Sequence, residues 1–497
     1  MAKGSLSVFF ALIMTAVMGL IFTMGECIRL YELNDFAQEY TDMAVESAFS
    51  EYNPYLWANY KLLAIDLGYG SNSKGPGIME QKTLDYCKYN SSVESGHNFA
   101  RLTADSCMIQ DYTLLSDNNG AGLMTLGVKA AKEGLATQVI DGIQSKVDSI
   151  NNIEKVSVED KAKSGKQSLE EAKAANSAAK YAAEHDDNPD THASDYPDPG
   201  VVEENPLDIF EILKESFSKS ILSSVTDVEK VSDLEMDIAN APSHRQLQSG
   251  TMDIESSGTM TDKALYIDYL ITNFGYFGNS KHDGMKYEVE YLLSGKHTDP
   301  QALASVVEQI LLVREAANFY TITHTPSLEA QAEGVAVAIA AFSGNPAIEG
   351  IVKSGIIAAW AYAESTLDLR LILSGGKVPA VKNLDQWTSD VWHLAGVTNV
   401  NYKAKDCGEG IGYKDYLIAF LALRSNETLS MRGLDIIENA LNSTEDYKNV
   451  KVDNMLFAAN VRMGYSAEEM FLSLLSTVTP DDGMGSYFLE KEKFISY

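Results

Sequence analysis

LSVFFALIMTAVMGLIFTM, residues 6–24, carries no charge, and Ser7, Thr15 and Thr23 are its only polar side chains. At about 1.5 Å per helical residue it is just long enough to cross a hydrocarbon core of roughly 30 Å. It reads as a membrane anchor. A cleaved secretory signal is the rival reading, but Met24-Gly25-Glu26-Cys27 has no small-x-small cleavage site, and a Glu before Cys27 suits a lipoprotein signal poorly.

The helix is expected to continue past the bilayer. Residues 26–52 contain neither proline nor glycine, and Leu30, Leu33, Phe36, Ala37, Tyr40, Ala44 and Ala48 form one apolar stripe. Asn53-Pro54 is the first firm stop. A single rod over residues 5–52 is on the order of 70 Å long. Beyond the membrane it also carries Glu26, Arg29, Glu32, Asp35, Glu39, Asp42 and Glu46. That half is expected to be wet on one side and covered on the other by the protein's own body or by a neighbouring rod. Inside the apolar half, Thr15, Gly19 and Thr23 make a small-residue ridge along which a second helix can approach closely. Lys3 lies on the short N-terminal side, and acids dominate after Arg29. The preference of Lys and Arg for the cytoplasmic side predicts a single pass with the N terminus inside and the bulk of the chain extracytoplasmic.

Composition agrees with an extracytoplasmic body. The 497 residues include 70 acidic and 39 basic side chains, a formal net charge of -31. Such a charge repels nucleic acid, so no nucleic-acid partner is expected, and the length suffices for two or three domains. Cys27, Cys87, Cys107 and Cys407 are too few for a disulfide-built scaffold. Cys87 and Cys107 flank one short segment and pair only in an oxidising compartment, while four unpaired thiols are the plainer reading.

The expected fold is mainly α with minor β, a long N-terminal transmembrane helix followed by a large helical extracytoplasmic body. Residues 1–52 are the anchor and its amphipathic continuation, and residues 53–184 a helical region. In the latter, the Lys/Glu/Ala-rich stretch 158–183 has little to bury and reads as a projecting arm. Residues 185–205, HDDNPDTHASDYPDPGVVEEN, form an acidic linker, 206–261 a helix and polar connection, and 262–497 a predominantly helical body. His185, Asp186, Asp187, Asp190, His192 and Asp195 in the linker have ligand chemistry but no rigid frame, so no metal is assigned. Two very apolar stretches, 328–342 and 348–373, suit the centre of a helix bundle better than a bilayer, because the first is short and the second contains Glu349, Lys353, Glu364, Asp368 and Arg370. Glu364 and Asp368 stand four apart on one helical face. They are the strongest acid pair for an alternative reading, a membrane-tethered enzymatic or ligand-binding ectodomain. No histidine, cysteine or nucleophilic serine motif joins them, so they are expected to form a buried structural network. No catalytic residue, cofactor or metal site is assigned, and a non-enzymatic role is expected.

The N-terminal stretch 3–66 and the motifs NPLDIF, ALYIDYLITNFG, YEVEYLLSGK, LLVREAANF, WAYAES, GGKVP and GYKDYLIAFLAL resemble an uncharacterised bacterial family of membrane-anchored proteins found with Tad/Flp pilus systems. The N terminus also resembles TadE/TadG-type minor pilins, in which a basic-Gly leader precedes a long hydrophobic helix. The resemblance makes Lys3-Gly4 the leader, with cleavage before Ser5, but Phe9 stands where those pilins usually carry Glu. It implies a surface-exposed structural or assembly component of a pilus-like or secretion apparatus, with pilin-like or Tad assembly proteins as partners.

Overall fold

A computed structural model describes residues 2–92, 101–133, 157–186, 204–254, 258–343, 345–472 and 486–497, with 142, 148, 192 and 194. The fold is mainly helical, and the chain divides into two compact units, each assembled from separated stretches. One unit comprises residues 1–130, 239–257 and 433–497, the other 131–238 and 258–432.

In the first unit the rod is one continuous helix, α1 (Ala2–Phe49). Short α2 (Pro54–Tyr60) follows, with Asn53 as its N-cap accepting the backbone N–H groups of Tyr55 and Leu56. Strand β1 (Ile65–Asp66), helix α3 (Gly77–Asn90), strand β2 (Leu102–Leu114) and helix α4 (Asp117–Glu133) come next. Strands β3 (Met455–Glu468) and β4 (Ser486–Ser496) complete an antiparallel sheet. β3 is its centre: β2 pairs along one edge, and β1 and β4 pair with successive parts of the other.

The second half of α1 lies on this sheet. Leu33, Ala37, Tyr40, Ala44, Val45 and Ala48 are buried against Val461, Met463 and Tyr465, the inward-facing alternate residues of β3. A fully buried Leu such as Leu33 contributes on the order of 1.5–3 kcal/mol. The Thr41 and Tyr465 hydroxyls meet at 2.7 Å inside this layer. At the sheet's edge Lys493 bonds Asp42 and Glu46 of the helix. The body itself therefore covers the apolar stripe of the rod.

Of the aromatics of α2, Tyr60 is fully buried and the Tyr55 ring lies 5.6 Å from that of Tyr447, while Trp57 is exposed. All four cysteines are free thiols, with Cys87 buried and its sulfur 3.3 Å from the Tyr465 hydroxyl. Asp117-Asn118-Asn119-Gly120 is a turn rather than regular helix, with φ of 48°, 55° and 81° at its last three residues. Asn and Gly tolerate this left-handed geometry, and the Asp117 carboxylate holds it by accepting the Leu114 and Gly250 amides.

The second unit is helical. It contains α5 (Val158–Glu184), α6 (Pro206–Val225), α7 (Met260–Asn273), α8 (Glu288–Ser294), α9 (Asp299–His324), α10 (Pro326–Ser343), α11 (Glu349–Leu373) and α12 (Tyr413–Ala422). Helix α13 (Asn426–Asn442) begins in this unit, and its residues from 433 onward belong to the first. Helix α11 is the core, buried at every position from Ile356 to Ile372 and packed by α5, α6, α9 and α10. A helix buried all round needs a mostly apolar surface, which residues 356–363 have, and partners for the polar Glu364, Asp368 and Arg370 that follow.

The expected projecting arm is corrected. Helix α5 is not a projecting arm, because it packs along α11 through Ala162, Gly165, Leu169 and Ala172. Small residues suffice here because the two backbones nearly touch: a Cβ on Gly165 would sit 2.9 Å from the Gly355 Cα. Few large apolar side chains thus mark a close crossing rather than an exposed helix. Residue 157–158 begins this helix with Ser157 as N-cap, whereas most of the acidic linker 185–205 lies outside the described residues.

Candidate functional site

The first candidate is the anchor. Among the described residues, α1 is the one helix long and apolar enough to cross a membrane, and none of them buries that segment. Thr15 and Thr23 donate their hydroxyls to the Ala11 and Gly19 carbonyls four residues back, at 2.9 and 2.8 Å. That satisfies both hydroxyls within the helix, as a hydrocarbon environment requires. The outer side of Gly19 is open, with no atom of the described residues within 4 Å of where a Cβ would stand. Lys3, Gly4 and Ser5 lie in the first turns of the same helix.

Just beyond the apolar segment the helix is bolted to the body. Glu26 and Arg29, which amphipathic patterning assigns to a wet side, are buried instead, at 1% and 4% exposure. Glu26 accepts the Phe471 amide at 2.6 Å and the Met470 amide at 3.2 Å. Arg29 donates to Glu26 at 2.8 Å and to the Glu468 carbonyl at 2.7 Å. Burial pushes the Glu26 carboxyl up, but the Phe471 amide and Arg29 outweigh it and hold the group below its ordinary value. This clamp ties the end of β3 to α1 two residues after the apolar run.

The second candidate is the acid pair. Glu364 and Asp368 share a face of α11, and both are fully buried. Lys382 lies between them, bonded to Glu364 and, at 2.5 Å, to Asp368. Asp368 also accepts from Arg314 Nε at 3.0 Å, Arg314 Nη2 at 2.9 Å and Asn318 at 2.9 Å. Glu364 accepts the Thr388 and Ser389 amides and the Ser389 hydroxyl, the last at 2.6 Å. Burial drives the Asp368 carboxyl up, but Lys382 and Arg314 reverse this and hold it below the usual carboxylate range, and the same two acids hold Lys382 above the usual lysine range. Two acids and two bases balance in charge, and their bonds staple the irregular stretch 377–402 onto α11. Arg370 completes the staple by donating to the carbonyls of Ser224, Val397, Asn399 and Tyr402, and burial lowers its pKa to about 10. Sealed and fully partnered, the pair presents no surface to a substrate. Its expected role as a buried network matches this geometry, although Arg314 and Lys382, 54 and 14 positions from Asp368, carry no signal in the sequence that links them to it.

Among the described residues no group of three or more His, Cys, Asp or Glu side chains is placed to hold a metal ion.

The fold and these sites define a class: a protein with a bare apolar N-terminal helix clamped to a sheet, and a second, helical unit organised on a buried ionic staple. The chain belongs to the Family of unknown function (DUF5702), whose model matches residues 199–467, more than half of the sequence. The matched stretch takes in the ionic staple and β3 but not α1. No curated protein and no solved structure matches the chain.

Proposed function

We propose that this protein is a membrane-anchored, surface-exposed structural or assembly component of a Tad/Flp pilus-like or secretion apparatus. The short N-terminal side is cytoplasmic and the bulk of the chain extracytoplasmic. One observation carries the reading: α1 is a single helix in which none of residues 6–24 is buried by the described residues, while its continuation is buried against a sheet and fastened at Glu26. A helix shared in this way transmits the position of its membrane half rigidly to the body, as a subunit held in an assembly requires. The resemblance of Lys3-Gly4-Ser5 to a prepilin leader, and of the chain to proteins found with Tad systems, supports the same role.

Protease added to intact cells should digest the chain and spare only an N-terminal fragment. Deletion of the gene should abolish surface filaments or secretion, and wild-type chain should restore them where a chain lacking residues 6–24 does not. Recovery of the full-length chain from the cytosolic soluble fraction overturns the reading.

A further inference from the structure

The groove between α6 and α9 belongs to neither the anchor nor the ionic staple. It encloses about 420 Å³, within the range of small-molecule sites. Phe210, Phe217 and Tyr362 form its aromatic wall, with the Tyr362 ring meeting Phe210 at 5.0 Å and Phe217 at 5.6 Å, both edge to face. Glu315 of α9 lines the same groove and is 7% exposed.

Glu315 differs from the other buried acids of this unit. Asp368 and Glu364 are saturated by lysine, arginine and amides, whereas Glu315 has no hydrogen-bond or ion-pair partner among the described residues, and only burial and more distant charges act on it. Burial pushes its carboxyl up to about 8, with Glu159 adding to the rise and Lys214 opposing it. An unpartnered buried carboxyl costs free energy that an apolar side chain of similar size would not. The charged groups facing it are Glu159 from α5, Lys214 from α6 and Glu308 from α9, with the Tyr362 phenol from α11. Lys214 is already bonded to Glu159 and is not free to neutralise Glu315. With Lys163 also bonded to Glu159, three carboxyl groups stand against two lysines, an excess that disfavours an anion, and aromatic faces beside a carboxylate suit a cation.

We propose that this groove binds a small organic cation, with an ammonium head set against Glu315 and an apolar body against Phe210, Phe217 and Tyr362. The site stands on the geometry of the helical unit and is independent of the assembly role of the anchor. Binding of the cation favours the ionised carboxylate, so occupancy draws a proton off Glu315 and affinity rises with pH.

The test is calorimetric titration of the full chain in nanodiscs with benzyltrimethylammonium, whose charge does not titrate, and with phenethylammonium. Phenethyl alcohol and phenylacetate serve as neutral and anionic comparators. Both cations should bind at least roughly tenfold more tightly than either comparator, and a stronger response to one of them tells a quaternary from a primary amine ligand. For benzyltrimethylammonium the affinity should rise roughly tenfold between pH 7 and pH 9, following the ionised fraction of Glu315. Glu315→Gln should weaken both cations by roughly tenfold and remove the pH dependence. Phe217→Leu, which keeps the carboxyl, should weaken binding while preserving the pH dependence. Equal binding of phenethyl alcohol, unchanged binding in a folded Glu315→Gln chain, or no heat with either cation up to about 10 mM overturns the proposal.

Discussion

Lys382 shows how much one side chain can hold together. Its ammonium is the shared partner of Glu364 and Asp368, four residues apart on a fully buried helix face. Lys382→Met leaves both carboxylates buried with only Arg314 as a cationic neighbour, and loss of one member of such a set costs about 3–5 kcal/mol. Urea melts should report that loss. Adding Glu364→Gln to the same chain should return part of it, because one uncompensated charge disappears with the substitution. A strictly additive double mutant would mean that Lys382 and Glu364 are not energetically coupled. Glu290 offers a second test. It is fully buried, accepts the Tyr413 hydroxyl at 2.6 Å and the Phe277 amide at 2.8 Å, and burial lifts its pKa to about 7 despite those bonds. A carboxyl whose folded pKa exceeds its unfolded value of 4.5 stabilises the fold below pH 4.5 and loses that contribution as pH climbs through 7. Its share of the decline is about 3 kcal/mol at most. Melting curves between pH 4.5 and pH 8 should fall less steeply for Glu290→Gln than for the parent, and identical slopes would refute the assignment.

Helices and strands differed in how plainly their residues announced them. The spans of α9, α11 and α12 follow from apolar spacing, and Thr298 and Asn205 cap α9 and α6 as N-cap chemistry predicts. Strand β2 did not announce itself, because register shifts at Ala104/Ser106, Ile109/Asp111 and Thr113/Leu114 break the period-2 alternation that marks a strand. The helical register of α5 was readable, but its partner was not. Gly165 and Gly355 matter only as a pair, and they stand on helices separated by most of the unit's sequence. Gly165→Val should therefore force α5 and α11 apart and lower stability by about 1–3 kcal/mol or more. Gly165→Ala should give a smaller loss of the same sign, since even a Cβ meets the Gly355 backbone. Thermal melts of the two variants should rank in that order, and a neutral valine would show that the helices are not in close contact.

For the molecule as a whole, the apolar half of α1 offers a surface for a partner. Every large apolar side chain from Leu6 to Met24 is at least partly open, and among the described residues no atom lies within 4 Å of where a Gly19 Cβ would stand. If a second helix lies along Thr15, Gly19 and Thr23, Gly19→Leu should weaken association with a pilin-like partner without blocking insertion, since it adds bulk and no charge. A photocrosslinker at position 19 should give a protein-sized adduct that vanishes in strains lacking the assembly system. Labelling of lipid alone would leave the ridge facing the bilayer.

Short-range pattern sufficed for the anchor, for its amphipathic continuation and for most helices, because burial on one helix face leaves a mark every three or four residues in the local sequence. It sufficed also to mark Glu364 and Asp368 as a pair, since four positions along a helix bring two side chains together without help from elsewhere. Tertiary structure decided which distant segments complete each site. Glu26 and Arg29 read as solvated charges until residues 468–471 return to them, and Glu315 gains its groove only when α6 and α11 close around it. Whether a charge is paired, sealed or left facing a groove depends on neighbours that only the folded chain brings within a few ångströms, and local periodicity holds no record of them.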